Sequence, residues 1–154
     1  MRFPQVRQVA IALCLTTAFA AAHAKPSSVC SSDGPIGANL TSTVAGGSGL
    51  YFTELTRTVV NTGTTNKTAV IWFAADVGVP ADAEVRLLFS LDGAAPQYRG
   101  PQNLANAAQY YQSRSTLARI SIPPGTHTIT PFVFVSGAAG VTAVFDDRCM
   151  FVEI

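Results

Sequence analysis

Leu117-Ala118-Arg119-Ile120-Ser121-Ile122-Pro123-Pro124-Gly125-Thr126-His127-Thr128-Ile129-Thr130-Pro131-Phe132-Val133-Phe134-Val135 holds two apolar runs on either side of a proline-glycine stop. The runs are dense in β-branched and aromatic residues, which lose rotamer freedom in a helix and pack well on a pleated surface. They read as strands over 117–122 and 126–135 joined by a tight turn. Pro131 has no N–H to give to a ladder, which predicts an edge strand or a bulge at that point. Phe132 and Phe134 alternate with Val133 and Val135, a pattern that fits a strand covered on both sides, with another subunit as one way of covering it.

The same pattern extends in both directions. Downstream, Gly137-Ala138-Ala139-Gly140 forms a turn and residues 141–154 close the chain as a final strand. A bulge is predicted at Asp146-Asp147-Arg148, where the inward side moves from Phe145 to Met150, Val152 and Ile154. The C-terminal third then reads as a meander. Upstream, residues 50–60 and 68–77 flank the polar cluster Asn61-Thr62-Gly63-Thr64-Thr65-Asn66 and read as a hairpin. Residues 68–77 are apolar on both alternation sets, Val70, Trp72 and Ala74 against Ile71, Phe73 and Ala75, which predicts a central strand covered on both faces. Residues 84–91 alternate, with Val85, Leu87, Phe89 and Leu91 inward, Glu84, Arg86 and Ser90 outward, and Leu88 as the exception; they stop at Asp92-Gly93. Short strands at regular spacing predict an all-β fold. The architecture expected is an antiparallel two-sheet β-sandwich, a jelly roll in preference to an immunoglobulin-like arrangement.

The front of the chain reads differently. Arg2 and Arg7 precede an apolar stretch over 9–22, and Ala22-His23-Ala24 offers a small-x-small cleavage pattern. This predicts a signal peptide over 1–24, an N-terminal arm over 25–37 and the sandwich domain over 38–154. The apolar stretch falls short of the roughly 20 residues that cross a bilayer, so no stable membrane span is expected after cleavage. Leu13 before Cys14 argues against lipidation. Without Arg2 and Arg7 the net charge turns slightly negative, and nucleic acid is not an expected partner. Of the three cysteines, Cys30 and Cys149 are left in a secreted or periplasmic chain, where a disulfide between them is expected. Neither has the close Cys or His neighbours that a redox pair or a zinc site requires.

Between residues 93 and 115 the chain is rich in amides and aromatics, with Tyr98, Gln102, Asn103, Tyr110, Tyr111 and Arg114. A short helix over 104–112 is one expectation. Tyrosine faces and paired amide donors and acceptors suit sugar rings, so these six residues form the candidate ligand site, for a glycan or a cell-envelope component. The plainer alternative has Tyr110 and Tyr111 opening the strand that ends at Ile122, with the amides solvated.

Catalytic constellations are sparse. Outside the signal, His127 is the single histidine; it would need Asp146 or Asp147 beside it to act as a base. Ser48 in Gly46-Gly47-Ser48-Gly49-Leu50 does not satisfy the G-x-S-x-G nucleophile pattern. A calcium site at Asp146-Asp147 would need six or more oxygens, and the sequence nearby does not supply them. Pairing of these aspartates with Arg148, Arg119 or a backbone amide is the structural alternative, and neither a metal nor a cofactor is expected. Asn39-Leu40-Thr41 and Asn66-Lys67-Thr68 match the N-glycosylation pattern, but the alanine-rich signal has a bacterial character.

The run 119–130, followed by 140–144 and by Asp147-Arg148-Cys149-Met150-Phe151-Val152, resembles the closing strands of uncharacterised secreted bacterial β-sandwich proteins. Its proline-glycine-threonine entry is also similar to those of jelly-roll and immunoglobulin-like modules, including tumour-necrosis-factor-like heads. The resemblance covers the last third of the chain. It implies a sandwich and, in the tumour-necrosis-factor-like case, a trimer; it transfers no catalytic residue. The expected role is an exported, non-catalytic binding or surface-assembly module. The alternatives are an oligomeric adhesion protein, in which a homo-oligomer forms, and a hydrolase built on His127.

Overall fold

The computed structural model describes residues 27–31, 38–41, 47–79, 83–97, 103–106 and 109–154. These form β1 (Ser27–Ser31), β2 (Ala38–Thr41), β3 (Ser48–Tyr51), β4 (Arg57–Asn61), β5 (Lys67–Val79), β6 (Glu84–Leu91), β7 (Asn103–Asn106), β8 (Gln109–Ile122), β9 (Gly125–Ser136) and β10 (Thr142–Glu153). A single 3-10 turn, Thr53–Leu55, separates β3 from β4. The expected signal over 1–24 lies outside the described residues, as does much of the expected arm over 25–37. Part of that arm, β1, is a strand of the sandwich.

All pairings are antiparallel. β1 and β2 share one side of β10, and β3 and β4 share one side of β9, so each couple behaves as one interrupted strand. One sheet runs β1/β2, β10, β5, β8, and the other runs β3/β4, β9, β6, β7. With each couple counted once, the first strand pairs with the last, the second with the second last, and so on inward to β6 with β7. A nested set of pairs folded over into two sheets is a jelly roll.

This topology corrects the expected hairpins. β4 pairs with β9 while β5 pairs with β8 and β10, so residues 50–60 and 68–77 lie in opposite sheets. The two strands about Pro123-Pro124-Gly125 also lie in opposite sheets, and the meander is replaced by crossings from β8 to β9 and from β9 to β10. Turn chemistry fixes where the chain reverses; it does not distinguish reversal within a sheet from reversal over the rim of a sandwich. The expected helix over 104–112 is also replaced, by β7 and the start of β8. Its Ala, Leu and Gln residues favour helix weakly, and ladder pairing to β6 and β5 overrides that preference.

Pro131 lies in β9, an interior strand bonded to β6 on one side and to β3/β4 on the other. The irregularity that accommodates it is in its neighbour. Phe52 N–H donates to the Pro131 carbonyl at 3.0 Å, then the chain leaves the sheet through the 3-10 turn before β4 resumes opposite Ile129. The proline nitrogen therefore faces the one place along β9 where no ladder bond is required.

The core between the sheets holds Ile71, Phe73, Val77, Val85, Ile129, Val133, Phe145 and Met150, all fully buried. Phe52 stacks on Phe73 at 6.1 Å and meets Phe145 edge-on at 5.4 Å. The bulge expected in β10 is present, with the register shifting between Asp146 and Cys149 and Asp147 at φ 41°. The bulge turns Arg148 inward, where it is 2 % exposed. Its Nη1 donates to the Phe145 carbonyl at 3.0 Å, its Nη2 to Glu54 Oε1 at 3.1 Å, and its guanidinium lies 4.7 Å from the centre of the Phe52 ring. Of the alternatives for Asp146, the backbone amide is the partner: Asp147 N–H donates to Asp146 Oδ1 at 2.9 Å.

Candidate binding face

β5 alternates strictly. Ala69, Ile71, Phe73, Ala75, Val77 and Val79 point into the core, which leaves Thr68, Val70, Trp72, Ala74 and Asp76 on the outer face. Trp72 is 52 % exposed, so the expectation that this strand is covered on both faces is wrong. The signal was present in the sequence: the outer set is bounded by Thr68 and Asp76, the inner set by apolar residues throughout.

The register assembles rows across the sheet. Ser28, Phe151, Trp72 and Leu117 stand side by side on β1, β10, β5 and β8, and the next row along is Cys30, Cys149, Ala74 and Ser115. The Trp72 and Phe151 rings stack with centroids 5.9 Å apart and planes at 29°. A depression of about 450 Å³ lies over these rows, lined by Trp72, Phe151, Leu117, Ala74, Cys149, Ser28 and Ser115 together with parts of Phe73, Thr116 and Met150. One face is broad and apolar and its border carries hydroxyls.

The disulfide Cys30–Cys149 is formed and joins facing positions of β1 and β10, at the side of this depression. It closes a loop with a sequence separation of 119 residues, which contributes about 4 to 5 kcal/mol in the chain-entropy account. It also holds the short edge strand that supplies Ser28. The Ser28 carbonyl accepts a hydrogen bond from Arg57 Nη2, which ties β1 to the opposite sheet.

The residues expected to bind ligand are distributed differently. Tyr98 and Gln102 lie outside the described residues. Asn103 is in β7, its backbone opposite Arg86, and Tyr110 and Tyr111 are in β8, in the same sheet as Trp72; the side chains of these three are outside what is described. Arg114 faces Ala75 across the ladder, on the parity opposite to Ser115 and Leu117, and its Nη2 donates to Gln112 Oε1 at 2.5 Å. It does not join the Trp72 face.

His127 is placed beside Asp92, with Nδ1 and Oδ2 2.7 Å apart, and not beside Asp146 or Asp147, which belong to the other sheet. The other Asp92 oxygen accepts the Thr128 N–H at 2.7 Å. The hydrogen bond that His127 donates to Asp92, with help from the Pro124 and Pro123 carbonyls, raises the His127 pKa above its ordinary 6.5, against a smaller opposing effect of burial. The His127 hydrogen bond and the Thr128 N–H hold the Asp92 carboxyl below its ordinary 3.8. Asp92 has φ 53° in the turn after β6, so the pair pins that turn to β9. Its geometry is that of a clasp between two chain segments.

No protein-family model matches the sequence, and no curated protein matches it. Among solved structures, a chain of infectious bursal disease virus, Gx strain, is similar over 86 % of this chain and 32 % of that one, with 13 % identity and a TM-score of 0.48. TmCBM61 in complex with β-1,4-galactotriose is similar over 82 % of this chain and 88 % of that one, at 15 % identity and a TM-score of 0.40. A family 35 carbohydrate-binding module from Clostridium thermocellum matches over 82 % and 98 %, at 11 % identity and a TM-score of 0.32. The chain thus spans about a third of the viral chain. TM-scores below 0.5 settle neither ligand nor role.

Proposed function

We propose that the chain is an exported, non-catalytic module that binds carbohydrate or a cell-envelope glycan, and that the Trp72 face is where the ligand lies. The observation that carries this reading is an indole half exposed at the centre of an apolar row, beside a stacked phenyl ring and bordered by Ser28 and Ser115. Large aromatic surface left in water on a sheet face forgoes burial energy of about 25 cal/mol per Å². Flat rings match the C–H faces of a pyranose, and flanking hydroxyls both donate and accept, as sugar hydroxyls require. Export through the signal over 1–24 and oxidation of Cys30 and Cys149 afterwards belong to the same reading. The segment with Tyr98, Gln102, Asn103, Tyr110 and Tyr111 is a second contact in it.

The chain has a single tryptophan, so its fluorescence reports on this face alone. Titration with a panel of oligosaccharides should change the Trp72 emission, and binding measured by calorimetry should disappear in Trp72→Ala with cooperative unfolding kept. Loss on Tyr110→Ala or Tyr111→Ala would assign the second contact. Full binding by Trp72→Ala would contradict the reading, as would a dimer in light scattering that shields the indole and binds no glycan.

A further inference from the structure

The depression over Trp72 is divided by side-chain size. Phe151, Trp72 and Leu117 stand on one side of it, and Cys149, Ala74 and Ser115 stand on the other, one row along the same strands. Large beside small makes a trough that crosses the strands, with the rings as its wall and Ala74 and Cys149 as its floor. Ser28 on β1 stands at one end and Ser115 on β8 at the other. From β1 across β10 and β5 to β8 the trough runs about 14 Å at the usual strand spacing. It is longer than a single pyranose.

The floor has little to offer a polar ligand. Among the described residues that line the trough, none is charged and none carries an amide side chain. The two outward hydroxyls, Ser28 and Ser115, are at its ends, and Thr116 has the inward parity of Ala118 and Ile120. In the middle, β10 and β5 are interior strands, so their backbone groups are engaged in ladders on both sides. The Cys149 sulfur is bonded to Cys30 and has no S–H to donate. A sugar hydroxyl pressed onto this floor loses its water and finds no partner, whereas a methyl group gains by burial there. Asp76 and Asp146, cross-strand partners one row farther along, lie outside the lining.

We infer that this trough takes a neutral, acetyl-bearing glycan, with a sugar face on Trp72, the acetyl methyl on the Ala74–Cys149 floor and the acetyl carbonyl toward the Ser115 hydroxyl. The inference rests on the proposed glycan reading and narrows it to a substrate class. Ser115 is the cross-strand partner of Ala74, so one acetyl group meets both, its methyl on apolar surface and its oxygen at a donor. A fully hydroxylated sugar would leave a hydroxyl unsatisfied where the methyl sits. A free amine would lose water from its charge with no carboxylate in the lining to receive it. Ala74 is then the specificity-determining residue, because its small side chain makes the room that the acetyl group fills.

The test is a Trp72 fluorescence titration with oligomers of the same length and linkage that differ in a single ring substituent: N-acetylglucosamine, glucose and glucosamine. The N-acetyl form should bind about tenfold tighter than the glucose form, the joint effect of burying a methyl and sparing an unsatisfied hydroxyl. It should also bind tighter than the free amine, with a margin over glucose that salt does not change, because no charge takes part. Ala74→Leu, at an exposed position of β5, should fill the floor, erase the margin and leave the glucose affinity in place. Ala74→Ser should narrow the margin by giving a glucose hydroxyl its partner. Cooperative thermal unfolding checks that both variants fold. Equal binding of the N-acetyl and glucose forms, tighter binding of the free amine, or a margin that survives Ala74→Leu would overturn the inference and leave the glycan reading in place. Silence from these oligomers and from a wider oligosaccharide panel would remove both.

Discussion

Each sheet carries aromatic side chains on its outer face, and the two faces deal with them in opposite ways. On the β3/β4–β9–β6–β7 sheet, Phe132 and Phe134 lie across Gly49 and Gly47: a Cβ at Gly49 would come within 1.9 Å of the Phe132 ring, and one at Gly47 within 2.5 Å of Phe134. Tyr51 closes edge-on against Phe132 at 4.7 Å, and Leu88 beneath them is buried. On the other sheet the neighbours of Trp72 along β5 and across the next row are small, yet they do not receive its ring, which stacks sideways on Phe151 and stays 52 % exposed. The first face packs its phenylalanines over glycines and leaves Tyr51 41 % exposed at its edge strand. The second is left open, which separates a structural use of aromatics from the binding use proposed for Trp72.

Substitutions can break this contrast. Phe132→Ala should destabilise the fold by about 2 kcal/mol, because a half-buried ring loses its packing on Gly49 and Tyr51; chemical denaturation reads it, and no loss would mean that the covered face is ornamental to stability. Gly49→Ala should cost about 1 to 2 kcal/mol by forcing the Phe132 ring aside. It should also raise the exposure of that ring to a hydrophobic dye.

Smaller effects sharpen the contrast. The His127–Asp92 clasp belongs to the covered sheet. A histidine with a raised folded pKa stabilises fully below 6.5 and loses that contribution as pH climbs through the raised value; a depressed Asp92 stabilises above 3.8 and loses it as pH falls through the depressed one. A melting-temperature profile should therefore be highest between those limits. His127→Gln should flatten its alkaline side without moving glycan affinity at Trp72. Trp72→Ala should cost about 1 kcal/mol through the lost stack on Phe151, while abolishing binding. Smallest of all, Asp76→Asn should stabilise by up to about 0.5 kcal/mol as cross-strand repulsion is relieved.

Much of the sandwich was legible in the chain. Alternation in residues 84–91 gave the inward set Val85, Leu87 and Phe89, the bulge at Asp146-Asp147-Arg148 was visible as a shift of parity, and Cys30 and Cys149 announced their bond. Pairing was not legible, because turns such as Asn61-Thr62-Gly63 and Pro123-Pro124-Gly125 encode reversal without naming a partner strand. Arg148 escaped for a related reason: a charge in a run that looks solvated is turned inward by the bulge to meet Glu54, 94 residues away in sequence. Trp72 was misread because the middle of its strand is apolar on both sets, which drew attention away from Thr68 and Asp76, the polar ends of the outer one. The aromatic segment near Tyr110 suggests a ligand contact by composition, and the Trp72 face is proposed from exposure within the register.

Acrylamide quenching of the single tryptophan, with and without a saturating oligosaccharide, tests the central claim most directly. The open-face account predicts strong quenching in the free protein and marked protection when the glycan is bound. An indole already shielded in the free protein, or equally quenched in both states while binding is verified by calorimetry, would contradict it.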